Sequence, residues 1–380
     1  MLTILGSGHA GITLAREWRK LNPDAPLRIL TRDDGHYYYK PDLSKAFASG
    51  KDAEGLIKNR LEELQAQLKA EILSAVTVTR VDAAAHRLFI GEQAYSYSKL
   101  VLATGAEVIR LSIAGDAAGR VLHINDRLDY ARFRAALAPG ARVLLIGAGL
   151  IGCEFANDLA AAGYPVRVVD LASWPLPRLL PETLGRARQA GLEKMGVQFH
   201  LERSVKSLDA DGAALRAELS GGETLLADVV LSAVGLRANT ALARQAGARC
   251  EAGIVVDAQL QSSLPDIYAL GDCIQIAGRV HPYILPIAHA ARALAQTLNG
   301  TPTKAKFPAM PVLVKTPACP TVVSPPASAQ GTWEISGNAP DLQAVFKDEA
   351  GKPLGFALTG TATAQRGALT PLVPAVYEPG

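Results

Sequence analysis

The residues best placed to do chemistry come in two copies of one arrangement, Gly6-Ser-Gly8-His9-Ala10-Gly11 and Gly147-Ala-Gly149-Leu150-Ile151-Gly152. In each, a short apolar run precedes the glycines, Leu2–Leu5 and Arg142–Ile146. An apolar helical period follows, Ile12–Leu21 in the first copy and a stretch through Ala162 in the second. Strand, tight turn and helix in that order make an anion cradle. The first glycine permits the turn, the second lets the backbone approach a pyrophosphate, and the third lets helix and strand pack closely. Free N–H groups at the helix start then face the anion.

An acid after the next strand completes each unit, about 20 residues past its third glycine. Asp33 follows the strand Leu27–Thr31, and Asp170 ends the strand Val166–Val169. A carboxylate there accepts hydrogen bonds from a ribose. At Asp170 it would repel a 2′-phosphate, and no basic residue follows until Arg178, so the second site is expected to take NADH rather than NADPH. One such motif is weak evidence. Two, each complete, predict two dinucleotide beds in one chain.

The elements around these loops suggest a divided first domain. Lys99–Ala106 (KLVLATGA), Val229–Leu236 (VVLSAVGL, with Gly235) and Ile267–Cys273 (IYALGDC) each read as a buried strand ending in a glycine turn, and all three fit that domain. Asp272, beside Gly271, either binds a ligand or caps its turn. At 380 residues the chain suits two or three domains. The expected class is α/β, with two Rossmann-like domains, the second inserted in the first, and a small C-terminal α+β domain. The boundaries are drawn at 1–112 with 241–300, at 113–240 and at 301–380.

Composition excludes several function classes. A net charge of +3 with no Lys/Arg run gives nucleic-acid binding no support. The first residues read as a strand rather than a leader, and no apolar run reaches the ~18 residues of a membrane span, so a cytoplasmic protein without membrane contact is expected. Cys153, Cys250, Cys273 and Cys319 are too scattered for a CxxC or CxxxxC pair, so they read as reduced structural thiols, and no metal site is drawn.

Taken in order, GSGHAG, LVLATGA, GAGLIGCE, SAVGLRAN and IYALGDC resemble the two-dinucleotide-binding flavoprotein reductases over nearly the whole chain. The resemblance implies FAD in the first fold, NADH in the second and an acceptor side at the C-terminus. Tyr39–Lys45 (YKPDLSK) is similar to the segment where ferredoxin- and rubredoxin-type reductases place basic side chains by the flavin. Peroxide and oxygen reductases of the family carry a redox cysteine on or beside the position of Lys45, and none is present here. Pro308–Pro326 (PAMPVLVKTPACPTVVSPP) resembles the rubredoxin reductases that serve bacterial alkane oxidation. The implied partner is rubredoxin, met transiently by a monomer or weak homodimer; a flavorubredoxin or ferredoxin is the alternative acceptor. A dinucleotide-binding sensor without enzymatic activity is the alternative class.

Residue roles follow from the same resemblance. Gly8, His9, Ala10 and Gly11 are expected along the FAD pyrophosphate, Asp33 on the adenosine ribose, Val78 at the adenine through its backbone, and Lys40 with Pro41 near the ribityl and flavin. His9 reads as a helix-start residue rather than a catalyst. Lys45 and Glu154 are the candidate catalytic pair, a lysine near flavin N5 oriented by a glutamate from the second glycine helix; the plain alternatives are a surface lysine and a first-turn acid. The helix from Ile284 to Asn299 is expected to aim its start, at Ile284, toward the flavin. Lys315, on the strand before Thr316, either reaches the flavin or sits at a strand edge.

Overall fold

Leu2–Leu5 is apolar and buried at every residue because it is the central strand of a five-stranded parallel sheet, and such strands are covered on both faces. The computed structural model describes all residues, Met1–Gly380. The sheet order is Ile267–Ala269, Lys99–Leu102, Leu2–Leu5, Leu27–Leu30, Glu71–Leu73. The helix His9–Leu21 packs against the helix Ile284–Leu298. Two of these elements lie far along the chain, so the sheet is closed by a segment that leaves and returns. An antiparallel ribbon, Ala106–Val108 with Leu236–Ala238, marks both crossings.

Between the crossings lies a second parallel sheet, ordered Gln198–Leu201, Val166–Asp170, Val143–Ile146, Val229–Ser232. A three-stranded antiparallel sheet, Val205–Asp211, Ala214–Leu219 and Thr224–Ala227, adjoins it. The chain ends in a five-stranded antiparallel sheet ordered Val312–Val314, Thr321–Ser324, Pro353–Thr359, Asp341–Lys347, Thr332–Asn338.

KLVLATGA is a buried strand ending in a glycine turn, as its sequence suggests: the strand stops at Leu102, Gly105 turns the chain at φ +65°, and Ala106 already belongs to the ribbon. One reading of the sequence needs correcting. Val229–Ser232 does not complete the first domain but pairs in parallel with Val143–Ile146. The cause is that an apolar strand does not state which sheet it joins.

Packing groups the two parallel sheets and the C-terminal sheet unevenly. One buried cluster unites the first sheet with its two helices. A second joins Val143, Leu145, Val166 and Val168 of the inserted sheet to Val314, Val323, Leu342, Ala344 and Ala357 of the C-terminal sheet, and takes in Leu43 and Phe47. The C-terminal sheet therefore shares its core with the inserted unit.

Candidate active site

Each glycine loop is built as its spacing requires. Gly6 and Gly147 turn the chain at φ +118° and +111°. A Cβ on Gly11 would lie 1.9 Å from the Gly6 carbonyl, and one on Gly152 would lie 2.0 Å from that of Gly147. Gly8 and Gly149 differ from these, because a Cβ there meets no atom within 4 Å. The space over both is open, as a cradle for pyrophosphate needs. In the first loop the N–H groups of His9, Ala10 and Gly11 precede the first helix bond, Ile12 N–H to Gly8 O at 3.0 Å; in the second, Leu150, Ile151 and Gly152 precede Cys153 N–H to Gly149 O at 2.9 Å.

Around the first loop stand groups that a dinucleotide would complete. Val78 makes no backbone hydrogen bond within the chain, leaving its N–H and carbonyl free. Lys40 donates to Asn125 Oδ1 at 2.7 Å. Burial pushes its ammonium pKa down, opposed first by the charge of Asp272. Burial likewise pushes Asp272 up, opposed by Lys40. The two charges sense each other without an ion pair, which leaves room between them. His9 Nδ1 lies 2.9 Å from the Tyr37 hydroxyl, and burial, then Arg16, lowers its pKa. This structure thus fits FAD at the first loop by open backbone and unjoined charges. Ile284 opens its helix half-buried, with no side-chain cap on the preceding Tyr283.

The two acids are not equivalent. Gly6 N–H bonds to Leu30 O and Gly147 N–H to Val169 O, both at 2.8 Å, so Thr31 is the counterpart of Asp170. Thr31 accepts from Ser7 Oγ at 2.9 Å. Asp170 accepts from Ala148 N–H at 2.5 Å and Ala172 N–H at 2.7 Å. Asp33 stands two residues past Thr31, and burial, then Asp126, raises its pKa.

The expected pair of Lys45 with Glu154 does not form. Lys45 lies on a 3-10 turn, Lys40–Lys45, with its side chain 54% exposed, and pairs with Asp42 at 3.0 Å. Its neighbour Ser44 points inward instead and donates to Glu154 Oε2 at 2.5 Å. The cation at Glu154 is Lys315, whose Nζ lies 3.0 Å from Oε2 and whose backbone N–H donates to Oε1 at 3.0 Å. Lys315 Nζ also donates to Pro41 O, and lies 3.2 Å from Ser44 Oγ. Lys315 follows its strand, which stops at Val314. A turn that alternates inward and outward side chains decides the exchange, and contiguous sequence does not show that phase.

Three residues escaped the sequence reading. On the second glycine helix, Leu150–Ala161, Asp158 accepts from Phe47 and Ala48 N–H at 2.8 and 3.0 Å, and Asn157 accepts from Ala318 N–H at 3.1 Å. With Glu154 they form a polar stripe at i, i+3 and i+4 on an otherwise apolar helix, a signal that was available. Ser44 gave no signal. Cys153, Cys273 and Cys319 are buried, and burial pushes each thiol pKa up, so none is poised as a thiolate.

Residues 1–296 match the model of the pyridine nucleotide-disulphide oxidoreductases, and residues 304–372 match that of the rubredoxin binding C-terminal domain. The chain is 43% identical over 377 residues to the rubredoxin-NAD(+) reductase of Alcanivorax borkumensis, covering 99% of both. It is 44% identical over 383 residues to the protein of that name from Acinetobacter baylyi, covering 98% of both. Among solved structures it resembles a ferredoxin reductase from Rhodopseudomonas palustris, with TM-score 0.86 and 27% identity over 96% of this chain and 92% of that one.

Proposed function

We infer that this chain, which belongs to the pyridine nucleotide-disulphide oxidoreductase family, is a flavoprotein that carries electrons from NADH to rubredoxin. The observation that carries the reading is the joining of two complete glycine units to a rubredoxin-binding domain in one chain. FAD held at the first loop would supply the redox chemistry, a two-electron acceptor for hydride that can give electrons up one at a time.

The chain's own residues bind, orient and hold charge. In this reading 1–112 with 241–300 is the FAD domain, 113–240 the NADH domain and 301–380 the acceptor side. The N–H groups of His9, Ala10 and Gly11 hold a pyrophosphate, Val78 an adenine through its backbone, and Asp33 a ribose. Pro41, Asp272 and the start of the Ile284 helix face the flavin end, with Lys40. Gly149, Leu150, Ile151 and Gly152 hold the NADH pyrophosphate, Gly235 leaves room for its nicotinamide half, and Asp170 favours a free 2′-hydroxyl over a 2′-phosphate. Glu154 is the buried carboxylate that pairs with the Lys315 ammonium and fixes its direction. Lys45, exposed and paired with Asp42, is a surface charge of this site rather than the partner of Glu154.

No helix is long and apolar enough to cross a membrane; the reading itself takes the chain as a cytoplasmic monomer or weak homodimer. The resemblance of Pro308–Pro326 supports a supply of electrons to alkane hydroxylation through the reduced carrier. Steady-state turnover with NADH and equal concentrations of purified rubredoxin, flavorubredoxin and ferredoxin tests the acceptor. The reading expects rubredoxin to give the highest kcat/KM; a higher value for either other carrier overturns it.

A further inference from the structure

Arg188, on the helix Glu182–Glu193, is the largest fully buried side chain in the molecule, with no exposed surface. No carboxylate lies within 4.0 Å of it, and its Nε and Nη2 have no hydrogen-bond partner. A buried guanidinium without a counter-ion stabilises a fold poorly, and an apolar side chain of similar volume often does better. What Arg188 contributes is therefore directional.

Its one bonded nitrogen, Nη1, donates to Thr321 Oγ1 at 3.0 Å and lies 3.4 Å from Cys319 O. That carbonyl also accepts from Thr316 Oγ1 at 3.1 Å and Thr321 Oγ1 at 2.9 Å. Thr316, Cys319 and Thr321 are all buried, and they form the turn between the first two strands of the C-terminal sheet. One turn along the helix, a Cβ on Gly191 would lie 2.8 Å from Ala318 O and 3.0 Å from Cys319 Cβ, so helix and turn are in close contact. On its other side the Arg188 helix packs into the inserted unit, where Leu184, Ala187 and Leu192 share a buried cluster with Val143, Leu145, Val166 and Val168. Arg188 thus ties a helix of the inserted unit to the acceptor turn, while Lys315 is held separately by Glu154.

We propose that Arg188 is a positioning residue for the acceptor half of the reaction: it fixes the Thr316–Thr321 turn, and with it the rubredoxin-binding sheet, relative to the second glycine unit. This rests on rubredoxin being the acceptor. Arg188 touches neither Lys315 nor Glu154, so its loss spares hydride entry and weakens delivery.

The test compares holoenzyme of wild type, Arg188→Met, Arg188→Lys and Thr321→Val by two readouts. These are anaerobic bleaching of the bound flavin by NADH and steady-state rubredoxin reduction. Arg188→Met and Thr321→Val are expected to bleach at the wild-type rate while their KM for rubredoxin rises roughly tenfold, as for loss of one hydrogen bond to a charged group. Arg188→Lys, which keeps a donor, is expected to restore part of the loss. Unchanged KM in Thr321→Val, or bleaching that slows in step with delivery, overturns the proposal. Thr321→Val decides if Arg188→Met does not fold. Failure of wild type itself to reduce rubredoxin would instead refute the acceptor assignment.

Discussion

The two glycine units share a loop and differ in the helix that follows it. The first-glycine φ angles are +118° and +111°, and the third-glycine contacts are 1.9 and 2.0 Å. The first helix buries one face and turns Arg16, Arg19 and Lys20 outward to half-buried or exposed positions. The second is buried at every residue from Gly152 to Leu159, and its polar stripe reaches the 41–48 segment and the C-terminal strand. The same cradle serves as a holder in one place and as a holder and a hub in the other. Binding is set by the loop, whereas communication is set by what the helix touches.

The largest expected effect breaks the hub. Glu154→Ala strands a half-buried ammonium and the Ser44 hydroxyl, which costs about 3–5 kcal/mol in denaturant unfolding of the holoenzyme. Thr13, the equivalent position two residues past Gly11, has no side-chain hydrogen bond, and Thr13→Ala should stay within about 0.5 kcal/mol of wild type. Equal costs at the two positions would erase the distinction.

The next pair tests the shared loop. A Cβ at Gly8 or Gly149 meets no protein atom, so either alanine should fold yet crowd its ligand by roughly 1–3 kcal/mol. Gly8→Ala is expected to lose FAD on gel filtration. Gly149→Ala is expected to stay yellow and show a raised KM for NADH. The reverse pattern would mean the two beds had been exchanged.

Selectivity should respond more mildly. Asp170→Ala removes the carboxylate that would meet a ribose hydroxyl, so the ratio of kcat/KM for NADH over NADPH should fall about tenfold, the worth of one charged hydrogen bond. Asp33→Ala should leave that ratio untouched.

The smallest effect concerns an ion-pair brace at the start of the second sheet's central strand. Asp228 accepts from Arg142 N–H, Nε and Nη2 at 2.7, 2.9 and 2.7 Å, and these bonds hold its pKa at about 2. A depressed carboxylate contributes stability above its ordinary pKa and loses it as pH falls from about 4 toward that value. The side chain is 37% exposed, so solvent screening keeps the effect under about 1 kcal/mol. Asp228→Asn should flatten the acid limb of an unfolding curve by that much; an unchanged limb would show that the brace contributes nothing.

The sequence made local units legible and left long-range ones obscure, for a physical reason. Gly6 to Gly11 and Gly147 to Gly152 act on neighbours within one turn, so spacing alone reveals them. Pairing Glu154 with Lys315 depends on a sheet 161 residues away folding against the helix, and the inward choice of Ser44 over Lys45 depends on the phase of a 3-10 turn. The strand at Val229 was recognisable as apolar, but its sheet was decided by the register with Val143. Asp158 and Asn157 lay between these extremes, visible as a polar stripe but without a stated partner.

Anaerobic stopped-flow mixing of the holoenzyme with one equivalent of NADH, followed by oxidised rubredoxin, tests the electron path most directly. The account predicts that the flavin band bleaches, then returns as two equivalents of rubredoxin are reduced, with no thiol titrated along the way. A flavin that stays oxidised in the presence of NADH, or a bleached flavin that leaves rubredoxin oxidised, would contradict it.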